Sequence, residues 1–199
     1  MTFASRWIEL PDHVTESPGG LPQGFRAAGV ACGLKPSGAR DLGLLVSDSP
    51  DTVSAARFTR SGVLAAPVLL TQERCRPAGV RAVVANAGNA NAATGRRGLE
   101  DAARMQRAGA AAAGVPEDSV AVASTGVIGV PLDIDKVVRG VSEAQSDLAP
   151  DGDAAFAEAI RTTDAIDKSA ALEVRLPSGV VRLSAQAKGA GMILSLIHI

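Results

Sequence analysis

The sequence predicts a mixed α/β (α+β) fold, and three observations predict it. Short apolar runs alternate with Gly- and Pro-bearing turns from Gly29 onward. One longer segment repeats its apolar residues at helical spacing, and another is rich in alanine. A late stretch, "ALEVRLPSGVVRLSAQAK", alternates around Pro177, Ser178 and Gly179 as a hairpin does. With 199 residues the chain is long enough for one domain with a substantial core.

In chain order, residues 1–23 read as an irregular lead-in, because residues 11–24 hold three prolines and three glycines. Leu42 to Val46, Ala66 to Leu70, Val80 to Ala85 and Val120 to Ala123 are short apolar runs predicted as strands. An alanine-rich helix is expected from about Leu99 to Ala113, its small side chains suited to close packing on a sheet. A second helix follows Pro131, with Ile134, Val137, Val138, Val141, Ala144 and Leu148 on one face. Pro131 near its start and Asp133 and Asp135 in its first turn suit a helix N-terminus. "DGDAAFAEAIRTTD" supplies a third, short helix, and the hairpin closes the order. One α/β domain is expected over residues 24–193, and residues 194–199 form an abruptly apolar tail.

Composition excludes several functions. The formal net charge is −1 and aromatics make up 3% with no Tyr, so neither a basic face nor a stacking platform for nucleic acid is present. Arg6, Glu9 and Asp12 interrupt the region where a signal peptide would be apolar. No run approaches the ~18 apolar residues of a membrane span. The expectation is a soluble, cytoplasmic protein with no membrane partner. Cys32 and Cys75 are far apart without a C-x-x-C, so they read as reduced thiols rather than a metal site.

Four stretches have the residue types that chemistry uses. "GFRAAGVACGLKPSGARDLGLLVSD" surrounds Lys35 with glycines ahead of a strand, and turn punctuation explains it equally well. "VVANAGNANAATG" runs a strand into Asn86, Asn89 and Asn91, either a tight polar turn or an amide site for a small polar ligand. "ASTGVIG" follows a strand and could aim fixed N–H groups and a hydroxyl at one point, as an oxyanion hole requires. A side chain at Gly126 would keep a reacting carbonyl away. "RTTD" and "AKGAG" offer Thr162 and Lys188, the lysine set among small residues as a cation for a carboxylate or as a solvated hairpin residue.

Familiar motifs do not account for these stretches. "VVANAGNA" is close to a short-chain dehydrogenase segment, but the catalytic Tyr of those enzymes is missing. Gly189 and Gly191 lack the rest of a dinucleotide fingerprint, and no phosphate-binding P-loop is present. His13 is too isolated for a Ser-His-Asp arrangement, so any acyl chemistry proceeds without a histidine base.

Taken together and in order, "GFRAAGVACGLKPSG", "AAPVLL", "VVANAGNANAATG", "VASTGVIGVPL", "TTD" and "AKGAGMI" resemble the ornithine acetyltransferase (ArgJ, glutamate N-acetyltransferase) family over about Gly24 to Ile193. The resemblance implies a layered, self-cleaving acyltransferase fold. It also implies an arginine-biosynthesis enzyme that moves acetyl from N2-acetylornithine to glutamate, with acetyl-CoA as a further donor in some members and no resident cofactor. In such a family the precursor cuts itself at an Ala–Thr bond into α and β chains, assembled as an α2β2 heterotetramer. The new N-terminal Thr is the nucleophile, its own α-amine (pKa about 8) serving as base. Carried over position by position, Thr125 and Gly126 form the oxyanion hole, and Thr162 and Lys188 bind substrate. Ser61, Ala87, Ala93 and Ala165 depart from the family pattern, which bears on fine specificity.

The family continues after "KGAGMI" with a segment like A-P-N-M-A-T, placing the nucleophile where Ile199 stands. Here "LSLIHI" follows instead. Those six residues read back as CTG TCT CTT ATA CAC ATC, the start of a transposon end used in sequencing libraries. The expectation is a truncated α chain lacking its β chain. Two other readings remain at this stage, a hydrolase or aminopeptidase of the same self-cleaving architecture and a non-catalytic ligand-binding fragment. The chain as written is predicted neither to cleave itself nor to transfer acetyl groups. Intact-mass analysis should show no internal cut near residue 190, and an acetyl-transfer assay no turnover above a blank.

Overall fold

The computed structural model describes residues 10–189, and their architecture is the expected mixture of helices and sheets. A four-stranded sheet forms the centre, in the order β2-β3-β4-β5. Its strands are β2 (Phe25–Val30), β3 (Leu42–Ser47), β4 (Ala82–Asn89) and β5 (Val120–Val127). The first three pair antiparallel and β4 and β5 pair parallel. The crossover between the parallel strands is the long helix α2 (Gly95–Ala113), as a parallel connection requires.

Alternation along the strands builds a different core on each face. Val30, Leu42, Leu44, Val46, Val84, Val120 and Val122 point to one side. There they meet α1 (Ala66–Arg74), α2 and α3 (Ile134–Ser146) through Leu70, Met105, Val137 and Val141. The opposite residues Ala27 and Ala85 meet Phe156 and Ile160 of α4 (Asp153–Ile160), with Leu45 packed against them. The absence of a side chain at Gly43 matters here, because a Cβ would stand 2.7 Å from the Phe156 ring. The alanine-rich face of α2 sits on the sheet as its composition predicts, and the Asp133 carboxylate accepts the Lys136 N–H at the start of α3.

A second sheet has the order β1-β6-β7. The predicted hairpin forms from β6 (Lys168–Leu176) and β7 (Gly179–Ala187), turning at Pro177 and Ser178. Its third strand, β1 (Val14–Glu16), comes from the segment read as an irregular lead-in. Three residues between prolines and glycines give no alternation long enough to see, and only the distant β6 edge makes them a strand. Leu21 of the same segment is buried beside α4.

One expected strand is a helix. Ala66 to Leu70 begins α1, with a proline in its first turn and its buried residues Ala66, Pro67, Leu70 and Thr71 at helical spacing. A five-residue apolar run cannot by itself distinguish the two, and the polar continuation "TQER" belongs to the helix. The expected tail, residues 194–199, lies outside the described residues.

The 31–41 segment between β2 and β3 is wound around one buried carboxylate. Asp41 accepts the N–H of Cys32 at 2.7 Å on one oxygen and those of Leu34 and Lys35 at 2.6 and 2.9 Å on the other. Its own backbone joins the neighbouring strands, donating to Val30 O and accepting from Ala87 N. Burial, reinforced by the Asp41 charge, pushes the Cys32 thiol up to about 12, so it stays protonated. Removing the carboxylate would leave three backbone donors without acceptors. Asp41→Ala should therefore lose about 3 kcal/mol or more of stability, and Asp41→Asn, which keeps one acceptor oxygen, less. Urea denaturation of both variants beside the parent checks the order.

Candidate functional site

The four stretches singled out in the sequence gather at one end of the central sheet, and the strand registers show it. Val30 at the end of β2 pairs with Leu42, Leu42 pairs with Asn86, and Asn86 pairs with Ser124. The 31–41 segment, the asparagine stretch and the Ser-Thr-Gly stretch thus leave the sheet side by side. α4 brings the fourth to the same end, since Glu158 in its last turn pairs with Arg40 at 2.5 Å. This is the C-terminal end of the parallel pair β4 and β5, where open α/β sheets place their ligand crevices.

The asparagines hold the backbone of this end together. Asn86 accepts the Ser124 hydroxyl at 2.6 Å and donates to Asn89 O at 2.9 Å. Asn89 accepts the Asn91 N–H and donates to Val130 O. Asn91, fully buried and at φ +44°, donates to Gly98 O and accepts from Thr94 Oγ1. These amides are engaged inside the loop, which favours the turn reading of this stretch over an amide site for ligand.

β5 is an edge strand, and its outer edge changes character along its length. At the Val120 end, side chains cover it. Thr71 Oγ1 both accepts from Val122 N and donates to Val122 O at 3.2 Å, while Cys75 and Gln106 donate to Val120 O. At the other end Val127 O accepts from Ala90 N on the inner side. Alternation therefore turns the N–H and C=O of Ser124 and Gly126 outward, as it does those of Val122. No strand pairs with that edge among the described residues. The same alternation places the Thr125 side chain on the α4 face, beside exposed Ala123, and its hydroxyl has no hydrogen bond among the described residues. An outward N–H at Gly126 beside the Thr125 hydroxyl is a donor set that an oxyanion requires.

Gly126 has a structural reason of its own. Its φ is +142°, and a Cβ would stand 2.2 Å from the Gly88 carbonyl carbon across the β4–β5 bulge. Gly88, at φ +106°, in turn leaves room for the Leu34 carbonyl, 3.1 Å from where its Cβ would be. A Gly126 substitution would disturb strand pairing along with any donor role, so Thr125 is the cleaner probe.

Thr162 and Lys188, predicted as substrate ligands, are brought together, the ammonium lying 3.4 Å from the Thr162 hydroxyl. Burial lowers the Lys188 pKa. Asp164, treated in the sequence only as part of "TTD", ties the two segments. Its carboxylate accepts the Gly189 N–H at 2.7 Å and pairs with Lys168, which also donates to Gly189 O. The Lys168 bond first, and the Gly189 N–H next, hold the Asp164 carboxyl down to about 2. The spacing of 25 residues between these partners concealed the link. Among the described residues no group of three metal-ligating side chains occurs, and no helix is long and apolar enough to cross a membrane.

Comparison with known proteins gives a consistent result. The ArgJ family profile matches residues 26–196. The arginine biosynthesis bifunctional protein ArgJ of Symbiobacterium thermophilum is 47% identical over 174 residues, 86% of this chain and 43% of that protein. The protein of the same name from Thermobifida fusca is 45% identical over 172 residues, 86% of this chain and 44% of its own length. The chain therefore spans less than half the length of these curated relatives. Among solved structures, Mycobacterium tuberculosis ornithine acetyltransferase, complexed with ornithine, is 39% identical with a TM-score of 0.82. The match covers 90% of this chain and 96% of that one. The arginine biosynthesis bifunctional protein from Bacillus halodurans is 38% identical with a TM-score of 0.81, over 91% and 96% of the two chains.

If Thr125 supplies a donor to the oxyanion, Thr125→Ala in the complete enzyme should lower kcat by about 10²–10³ with little change in KM. Steady-state kinetics beside a thermal melt measures this, the melt staying near the parent's because the hydroxyl supports no part of the fold.

Proposed function

Since the chain belongs to the ArgJ family, we propose that it forms the N-terminal, α-chain part of an acetyltransferase of arginine biosynthesis that moves acetyl from N2-acetylornithine to glutamate. What supports this reading is that two donor sets lie toward the same end of the sheet. The Thr125–Gly126 edge is one, and the Thr162–Lys188 pair beyond α4 is the other.

In this reading Lys188 and Thr162 anchor the α-carboxylate that acetylornithine and glutamate share. The nucleophile is the hydroxyl of a new N-terminal Thr, exposed when an Ala–Thr bond downstream of the Lys188 segment is cut. Its free α-amine takes the hydroxyl proton as the oxygen attacks the acetyl carbonyl. The oxyanion that forms meets the Gly126 N–H and the Thr125 hydroxyl, which are fixed before the reaction because β5 holds them. Collapse breaks the C–N bond, returns the proton to the departing ornithine amine and leaves acetyl on the threonine. The amine of glutamate then attacks that ester, with proton transfers in the reverse sense. No resident cofactor takes part, and acetyl-CoA enters only as another acyl donor at the same threonine. The nucleophile and the rest of the pocket belong to the β chain, in an α2β2 assembly, and the protein works in the cytoplasm.

The resemblance of the chain to an ornithine acetyltransferase complexed with ornithine supports the acetylornithine choice over a hydrolase of similar architecture. Lys188→Met, in the complete and self-cleaved enzyme, keeps the approximate volume and removes the charge-assisted bond to carboxylate. It should lower kcat/KM for both half-reactions by about tenfold or more, with the melting temperature retained. Half-reactions within about twofold of the parent would return Lys188 to the role of a solvated hairpin residue.

A further inference from the structure

An anchor for a substrate carboxylate needs its ammonium held at one place, and the hairpin alone does not hold that of Lys188. The ladder between β6 and β7 ends at the rung that pairs Lys168 with Ala187. Lys188 is the first residue beyond that rung, and a lysine stem is long and flexible.

An ion pair fixes the chain just past this point by gripping both polar groups of the next residue. Asp164 accepts the Gly189 N–H at 2.7 Å, and Lys168 donates to the Gly189 carbonyl at 2.7 Å. The two side chains also pair with each other. The backbone of Lys188 is therefore held on both sides, by the last rung before it and by this clamp after it. Asp164 belongs to the segment leaving α4 that also contains Thr162. The clamp thus ties the two segments whose side chains meet, the Lys188 ammonium lying 3.4 Å from the Thr162 hydroxyl. The Asp164 side chain is only 1% exposed, so it is closed to substrate. One of its oxygens is buried without a hydrogen-bond partner among the described residues. A buried ion pair is weak grounds for stability, and one with an unsatisfied oxygen is weaker still. What this pair does supply is geometry.

We propose that Asp164 and Lys168 are a positioning pair for the substrate carboxylate, acting through Lys188 by holding its ammonium beside the Thr162 hydroxyl. The inference rests on the reading of Lys188 and Thr162 as the carboxylate anchor. Acetylornithine and glutamate share that anchor, so a loosened clamp weakens both substrates alike. The Thr125–Gly126 edge is held separately, by the pairing of β5 with β4, and keeps its part in the acyl-transfer step.

The test uses the complete, self-cleaved enzyme with Asp164→Asn, Lys168→Met and Lys168→Arg, each alone and combined with Lys188→Met. Asp164→Asn and Lys168→Met should raise KM for both substrates about fivefold or more while kcat stays within about threefold of the parent. Lys168→Arg, which keeps the charge and the donors, should recover most of the loss. In the Lys188→Met background the same substitutions should cost nothing further, because a pair that acts only through Lys188 has nothing left to position. An undiminished further loss in that background would overturn the proposal, as would unchanged KM values in the single variants. Should Asp164→Asn fail to fold, the two Lys168 variants, altered at a partly exposed side chain, decide the same comparison. If Lys188→Met alone leaves the kinetics unchanged, the anchor reading fails separately, and trypsin then decides the positioning claim. Cutting after Lys188, followed by mass spectrometry against cutting at the exposed Arg57 and Arg60, should speed up about tenfold or more in Lys168→Met. An unchanged rate would show that the clamp does not hold this residue.

Discussion

The Asp41 carboxylate is the constraint on which this end of the molecule depends. An eleven-residue connection between two antiparallel strands has no hydrogen-bond ladder of its own, and its backbone donors need acceptors once α3 and α4 cover the sheet. One buried carboxylate accepts three of them, and the backbone of the same residue joins β2 and β4. The loop therefore has a defined path over Gly88, and Lys35 leaves it at a defined point.

The same reliance on buried polar groups recurs along the sheet end. Asn86, Asn89 and Asn91 satisfy the turn after β4, and Asp164 joins the chain leaving α4 to the end of β7. Each asparagine makes several short bonds at once, and Asp164 takes its bonds on one carboxylate oxygen, which is how a polar loop can be both buried and ordered. The lysines stand apart from this pattern. Lys35 donates to the Arg40 carbonyl and Lys188 meets the Thr162 hydroxyl, and neither makes an ion pair among the described residues.

The edge of β5 shows a matching division. Thr71, Cys75 and Gln106 cap its Val120 end from α1 and α2, which removes an open edge that would otherwise invite pairing. The capping stops before Ser124, and beyond it Val127, Ile128 and Val130 are exposed. Only glycine fits at position 126, where β4 and β5 approach too closely for a Cβ. A donor on a strand held this tightly is preorganised, so it reorganises little as charge develops on a substrate.

Much of this was legible in the sequence because its signals are local. Short apolar runs between turns marked β3, β4 and β5, helical spacing marked α3, an alanine-rich stretch marked α2, and the Pro-Ser-Gly turn marked the hairpin. The four stretches were singled out from residue types in order, and the family resemblance pointed to Thr125, Gly126, Thr162 and Lys188 within them. What the sequence could not show depends on partners far away in the chain. The Ala66 run is a helix because its Leu70 face meets the core, and residues 14–16 are a strand because β6 offers an edge. The roles of Asp41 and Asp164 follow from which backbone donors surround them, and the conformation of Gly126 from the approach of Gly88. The meeting of Thr162 with Lys188 likewise exists only after α4 and the hairpin have packed. Local pattern specifies which elements form, and long-range packing with the burial of polar groups decides which side chains share a site.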